Sequence, residues 1–264
     1  MIIKWLDPVD SGSPFPPVED ALKEPDGLLA AGGDLSPNRI LRAYCRGIFP
    51  WYEEGQPILW WSPNPRAVLY PHRIRISRSL RKTLRNKPWA ISFDRAFEET
   101  VSACAAPRKG SNGTWITDRM LEAYCELFTQ GHAHSVEVWN SDSTLIGGLY
   151  GVGIGKVFFG ESMFSHESDS SKVALIYLMR HLQTWGYPLI DCQLSSPHID
   201  SLGAEPMSRK RFIKHLKDHC DLPEHPSPWA MDTGLNVSDW LPSLMGKQPA
   251  DIPLGPATRR KEEI

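Results

Sequence analysis

An α+β fold in two unequal parts is what the sequence predicts, and three features predict it. Proline, glycine and tryptophan punctuate residues 1–65; three strand-length runs follow one another between 134 and 160; and an apolar-periodic helix leads straight into a buried strand between 171 and 193. In the first part, Pro14-Phe15-Pro16-Pro17, Glu24-Pro25-Asp26-Gly27, Ala31-Gly32-Gly33-Asp34 and Trp60-Trp61-Ser62-Pro63-Asn64-Pro65 break regular structure into short pieces. Residues 1–65 are therefore expected to form a small loop-rich domain with one clear helix. Ser36 caps that helix, Pro37 lies in its first turn, Ile40, Leu41 and Tyr44 share a face, and Gly47 stops it.

Residues 66–222 read as the body of the protein. Thr117 caps a helix through Met120, Leu121, Tyr124, Leu127 and Phe128 that ends at Gly131. His134 to Asn140, Thr144 to Val152 and Lys156 to Gly160 read as an antiparallel meander joined by Asn140-Ser141-Asp142-Ser143 and Gly153-Ile154-Gly155. A helix from Ser171 to Trp185 precedes the strand Leu189 to Gln193, and Ser208 caps a last helix carrying Phe212, Ile213 and Leu216. The proline-rich tail, 223–264, is expected to pack on the body as an extended segment and to fray at Arg259 to Ile264.

Of the 264 residues, 41% are apolar and 23% charged, enough for one sizeable core or two. No run approaches eighteen uninterrupted apolar residues, and the N-terminus lacks the pattern of a signal peptide, so a cytoplasmic protein without a membrane segment is expected. Cys45, Cys104, Cys125, Cys192 and Cys220 are odd in number and follow no metal-binding spacing, and are expected to be reduced and mostly buried. The net charge of −2 argues against a protein that coats nucleic acid indiscriminately. Its distribution says more. No Asp or Glu stands between Gln56 and Phe93, whereas Arg66, Arg73, Arg75, Arg78, Arg81, Lys82, Arg85 and Lys87 crowd into 66–87. Such a run is either a solvated face or a patch for a phosphate backbone.

Several chemistries fail on inspection. There is no Gly-x-Ser-x-Gly elbow and no phosphate loop, and the glycines at 151, 153 and 155 sit in a strand-turn-strand. His132 and His134 lack a nearby third ligand, so no metal is expected and a structural histidine is the simpler reading. Cys192 lies in an apolar strand, where burial raises its thiol and packing is its role. What stands out is polarity inside apolar runs. Gly160-Glu161-Ser162-Met163-Phe164-Ser165 closes one strand, and Asp191 and Gln193, two apart, share a face of another. A buried carboxylate is paired or functional, so that face is a structural hydrogen-bond network or a reactive site. Trp51, Trp60, Trp61 and Trp115, in Pro- or Gly-flanked loops, either plug a small core or offer bases a stacking platform.

Together the stretches EPDGLLAAGGDLSP (24–37), AYCRGIFPWY (43–52), ILWWSPNPRAVL (58–69), GTWIT (113–117), GHAHSVEVW (131–139), GESMFS (160–165), LIDCQ (189–193) and SLGA (201–204) resemble the bacterial leucyl/phenylalanyl-tRNA–protein transferases. The resemblance implies an aminoacyltransferase that moves Leu or Phe, and less readily Met, from aminoacyl-tRNA to the N-terminal α-amine of proteins beginning with Arg or Lys, marking them for degradation. It implies an acyl-CoA N-acyltransferase-like (GNAT-like) domain over 66–222 with the basic segment 66–87. It also implies leucyl-tRNA, phenylalanyl-tRNA and acceptor proteins as partners, no cofactor, no metal, no membrane, and a monomer. Catalysis would fall to Glu161, Asp191 and Gln193: Asp191 polarises Gln193, Gln193 positions the amine, and Glu161 orients substrate or the acceptor's cationic end. Leu149, Phe158, Met163 and Leu178 would line the aminoacyl side-chain pocket. Relatives more often carry methionine at 149, phenylalanine at 178 and asparagine at 196. The terminal adenosine would stack near Trp51 and Trp115, with Tyr44 and Tyr124 as neighbours, while Arg78, Arg81, Lys82 and Arg85 meet the tRNA backbone.

Two alternatives stand beside this reading. A coenzyme-A-dependent N-acyltransferase requires a glycine-bearing pyrophosphate loop that Phe164 to Lys172 does not contain. A non-catalytic RNA-binding module explains the basic run and tryptophans but leaves Glu161, Asp191 and Gln193 idle.

Overall fold

The computed structural model describes residues 3–107 and 114–242, and among them the chain builds two sheets and seven α-helices. The first sheet contains β1 (Lys4–Leu6), β2 (Leu28–Gly32), β3 (Phe49–Pro50) and β4 (Leu59–Trp61) in the order β1-β2-β4-β3, with α1 (Pro37–Tyr44) between β2 and β3. The proline-rich punctuation explains how short these strands are. At the start of α1 the Ser36 hydroxyl makes no capping bond, contrary to expectation. Asp34 does that work: its carboxylate accepts from the Ser36 N–H at 2.8 Å and pairs with Arg39 at 2.9 Å.

The second sheet has seven strands in the order β11-β5-β10-β9-β8-β7-β6. In chain order its elements are β5 (Arg66–Leu69), α2 (Arg78–Asn86), β6 (Ala90–Phe93), α3 (Phe97–Ala105), α4 (Asp118–Thr129), β7 (Ala133–Trp139), β8 (Leu145–Ile154), β9 (Val157–Ser165), α5 (Ser170–Thr184), β10 (Leu189–Gln193), α6 (Pro197–Ser201), β11 (Glu205–Met207) and α7 (Arg209–His219). Thr117 and Ser208 cap α4 and α7 as expected, accepting from Met120 N–H at 3.3 Å and Arg211 N–H at 3.4 Å. The meander appears as β7, β8 and β9, and Asn140 closes its first turn by accepting from the Asp142 and Thr144 N–H groups. β9 runs on to Ser165 instead of ending at Gly160, so the polar GESMFS stretch is strand throughout. The basic segment is not one surface: Arg66 is buried in β5, and only Arg78, Arg81, Lys82 and Arg85 share the helix α2, capped by Ser77 and anchored by the buried Leu80.

Among the described strands of this sheet, β9 and β10 are the one parallel pair, joined by the α5 crossover. Strand alternation sends Phe159 to one face of the sheet and Phe158 to the other. The Phe159 face packs with the whole N-terminal part, α3, α4 and α7, so one core runs across the boundary near residue 65. The Phe158 face carries α2, α5 and the tail. Trp229, Val237 and Trp240 of that tail are buried, and the Trp229 ring stacks on His134 at 3.8 Å while the Trp229 backbone N–H donates to Asp94. Residues 243–264, including those expected to fray, lie outside the described residues.

Two smaller expectations are corrected. All five cysteines are free thiols, but Cys104 alone is fully buried and the other four are half-buried, each at the edge of a packed cluster. The strict alternation expected along Leu189 to Gln193 is interrupted by a register shift between Asp191 and Gln193 against β5. No helix among the described residues is long and apolar enough to cross a membrane.

Candidate active site

The site forms where β9 and β10 part. Their pairing ends at Asp191 opposite Phe159, while β9 continues beside β8 alone. There Gly151 faces Gly160 and Tyr150 faces Ser162, which leaves Glu161 as the extra residue of a β-bulge. Just past the divergence, Gln193 takes a left-handed backbone with φ of 63°, a conformation few side chains adopt without a tether. The tether is present. Its N–H donates to Asp191 Oδ1 at 2.9 Å, and its side-chain amide reaches across the gap to donate to Glu161 Oε1 at 3.0 Å.

Asp191 is itself clamped. Arg66 on β5 donates from Nε to Oδ1 at 2.8 Å and from Nη2 to Oδ2 at 2.7 Å, with both side chains at 1% exposure or less. The guanidinium also donates to the Gly47 carbonyl and lies 4.7 Å and 4.9 Å from the Phe49 and Phe212 ring centroids. Asp191 thus holds Gln193 through the main chain. It does not touch the Gln193 side-chain carbonyl, which corrects the expected polarising contact. Arg66, counted by sequence among the patch charges, belongs to the site; the clue was a lone cation inside the apolar strand Arg66–Leu69.

Glu161 keeps part of its surface open and is gripped from both sides. The Tyr44 hydroxyl donates to Oε1 and the Tyr124 hydroxyl to Oε2, each at 2.6 Å, and the two hydroxyls lie 2.8 Å apart. Burial pushes the Glu161 carboxyl up to about 7, against the hydrogen bonds from Tyr124 and Tyr44; the Asp191 charge adds to the rise and Arg66 opposes it. Burial likewise drives both tyrosine hydroxyls well above their ordinary range, so they keep their protons. Both rings are fully buried in the core. Neither presents a face to a base, which corrects their expected place beside an adenine: they hold Glu161.

The other predicted residues fall into three places. Trp51 is 41% exposed and meets Trp61 edge-on at 5.5 Å; its neighbour Tyr52 lies 3.3 Å, hydroxyl to hydroxyl, from Thr117, which brings the Trp51 and Trp115 loops together at the start of α4. Trp60, by contrast, is a core plug, donating to the Gly32 carbonyl. Gly113 of the GTWIT stretch is outside the described residues. Leu149, Phe158, Met163 and Leu178 share the apolar cluster on the α5 face, with Leu149 directly opposite Met163 across β8 and β9. Met163 is half-buried and the other three are buried. α2 lies on that face too, away from Glu161. Arg78 and Lys82 are exposed, Arg81 donates to the Trp240 carbonyl, and Arg85 pairs with Asp239.

No group of three or more His, Cys, Asp or Glu among the described residues is arranged to hold a metal. His134 is bonded to Asp94 at 2.8 Å, the structural role expected of it. Burial raises the Cys192 thiol, as expected for a packing residue. Sequence reasoning missed the Arg66 clamp and the Tyr44–Glu161–Tyr124 contact because both join segments far apart in the chain.

Comparison with known proteins matches residues 68–217 to the model described as leucyl/phenylalanyl-tRNA protein transferase and residues 33–64 to that of its N-terminal domain. A curated protein of Aromatoleum aromaticum with the name leucyl/phenylalanyl-tRNA–protein transferase is 54% identical over 90% of this chain and 98% of its own length. One of the same name from Thiobacillus denitrificans is 54% identical over 86% and 99%. Among solved structures, L-PGS from Bacillus licheniformis aligns with a TM-score of 0.36 at 13% identity over 57% of this chain and 48% of that one, too weak a likeness to bear on fold or function.

Proposed function

Since the chain belongs to the leucyl/phenylalanyl-tRNA protein transferase family, we propose that the gap between β9 and β10 is where an aminoacyl ester meets the N-terminal amine of an acceptor protein. Aminoacyl transfer from tRNA to protein is the activity of the family and of this chain. The ester is already activated, so transfer makes one C–N bond, breaks one ester C–O bond and moves one proton from the amine to the departing ribose oxygen. Holding the two reactants in register supplies much of the acceleration, of order 7 kcal/mol or more in favourable cases.

The single observation that carries the assignment is the coupling of Gln193, Asp191 and Glu161 across diverging strands. Asp191, fixed by Arg66, sets the Gln193 backbone; Glu161 accepts one hydrogen bond from the Gln193 side-chain amide and so leaves its carbonyl oxygen as the acceptor for the incoming amine. Glu161 also supplies negative charge for the acceptor's cationic end. On the other face, Leu149, Phe158, Met163 and Leu178 receive the leucyl or phenylalanyl side chain, and an apolar pocket separates these by only about 1–3 kcal/mol per methylene. The 3′ adenosine stacks on the loops of Trp51 and Trp115, and α2 meets the tRNA backbone. Acceptors beginning with Arg or Lys are the proposed substrates.

The parallel crossover β9–α5–β10 supports an acyl-CoA N-acyltransferase-like fold for residues 66–222, to which residues 1–65 add their own small sheet while sharing its core. Coenzyme A itself suits the site poorly. The first N–H groups of α5, where a pyrophosphate would sit, already serve the protein: Ser170 N–H donates to the Glu167 carbonyl and Ser171 N–H to Ser165 Oγ. Glu167 and Asp169 add negative charge beside them.

The test is mass spectrometry of an Arg-initiated peptide after incubation with the protein and Leu-tRNA or Phe-tRNA. A gain of one Leu or Phe on the free peptide and none on its N-acetylated twin is expected. No gain, with tRNA still bound, would leave a non-catalytic RNA-binding module.

A further inference from the structure

We propose that Tyr44, Glu161 and Tyr124 form a closed proton-holding ring that takes the proton from the attacking amine and returns it to the departing ribose oxygen. This rests on the transferase reading and gives its proton a carrier. The side chain of Gln193 cannot be that carrier, because an amide is too weak a base; it positions.

The ring follows from counting protons against contacts. Three short oxygen–oxygen contacts close it: Tyr44 to Glu161 Oε1 and Tyr124 to Glu161 Oε2 at 2.6 Å, and Tyr44 to Tyr124 at 2.8 Å. With Glu161 ionised, two hydroxyl protons serve three contacts, and the tyrosine oxygens face each other with none between them. One added proton completes the circuit. Glu161 then donates from Oε2 to Tyr124, Tyr124 donates to Tyr44, and Tyr44 donates to Oε1, while Oε1 still accepts from Gln193. The carboxyl can take a proton without losing a partner, and give it up without moving.

Access is consistent with that role. Glu161 sits on a bulge, a place where strands re-aim a side chain, and remains partly exposed beside Gln193. The charged and titratable groups around it are Tyr44 from α1, Tyr124 from α4, Tyr150 from β8, Asp191 from β10 and Arg66 from β5. In the step itself the neutral amine nitrogen forms the C–N bond and its proton passes to the Glu161 carboxylate. As the ester C–O bond breaks, the ribose oxygen takes that proton, so the carboxylate is restored and no further reactant is needed.

Glu161→Gln is the decisive variant, since the amide reproduces the protonated ring: its oxygen accepts from Tyr44 and Gln193 and its NH2 donates to Tyr124. A residue that only orients would survive this change. The ring predicts a loss of at least a hundredfold in single-turnover transfer at saturating peptide, the range general acid–base catalysis supplies, with tRNA binding unchanged and any weakening from the lost charge confined to peptide affinity. In the wild-type enzyme the rate should rise with pH through about 7. In Glu161→Gln that limb should vanish, leaving the acceptor amine's own at about 7.7–8.0. Tyr44→Phe with Tyr124→Phe removes both tyrosine donors to the carboxylate, leaving only the Gln193 amide, and should move the limb to higher pH. Glu161→Gln within threefold of wild type, or a limb unmoved in the double phenylalanine variant, overturns the ring. Absence of any transfer by the wild-type protein would instead overturn the transferase reading.

Discussion

Asp191 has both oxygens on Arg66 and no exposed surface, so removing either member strands a charge in the core. Arg66→Met is expected to destabilise the protein by about 3–5 kcal/mol, measured by denaturant unfolding. Arg66→Lys keeps the charge but loses the fork, and should cut transfer at least tenfold while the fold survives. Gln193→Ala should lower the single-turnover rate at least tenfold; a rate within twofold of wild type would remove Gln193 from the site. Glu161 also ties stability to pH. Its carboxyl binds a proton more tightly in the native state, about 7 against an ordinary 4.5, so its stabilising contribution is full below 4.5 and is lost as pH rises through 7. His215 acts in the opposite sense: burial lowers it to about 4, so stability is lost as pH falls below 6.5. Glu161→Gln should flatten the decline in unfolding midpoint between pH 4.5 and 7. At this scale the sequence exposed Asp191, Gln193 and Glu161, because each is a polar group in an apolar run. It concealed Tyr44 and Tyr124, whose helical spacing reads as ordinary core; whether a tyrosine hydroxyl meets carbon or a carboxylate depends on the other elements.

The elements divided in the same way. α4 and α7 were legible because a capping hydroxyl precedes an apolar stripe, and β7 to β9 because turn residues separate β-rich runs. α2 was not, since Leu80 is its one buried residue and its charges masked the helix. Its placement alters what the arginines can do. Arg85 is paired with Asp239 and Arg81 with the Trp240 carbonyl, so the tail competes with phosphate for them. Neutralising Arg78, Arg81 and Arg85 together should flatten the slope of log affinity for tRNA against log salt by up to about 0.9 per lost contact. Asp239→Asn should strengthen binding at low salt by freeing Arg85. An unchanged slope would place the tRNA backbone elsewhere.

For the whole molecule, two cores on opposite sides of one sheet share the work. The Phe159 side packs against Tyr44 and Tyr124, which grip Glu161, and the Phe158 side carries the apolar cluster of Leu149, Met163 and Leu178, proposed above as the aminoacyl pocket. The tail, for which sequence offered no function, packs on the Phe158 side: Trp229 stacks on His134, and the Asp232 N–H donates to His181 Nε2. Trp229→Ala should cost about 3–5 kcal/mol and lower the thermal midpoint by roughly 10 °C, read by calorimetry.

By itself the sequence determined the α+β class, the strands of the body, the caps of α4 and α7 and the family, and it singled out the three polar residues proposed for the reaction site. These are properties of local pattern or of motifs that can be read in order along the chain. Only the tertiary structure decided that Arg66 clamps Asp191, that Tyr44 and Tyr124 enclose Glu161, and that the basic helix lies across the sheet from them. Each of those facts joins segments about 40 to 125 residues apart. A buried charge or hydroxyl takes its chemistry from its partners, and distant partners are chosen by how the sheet faces pack.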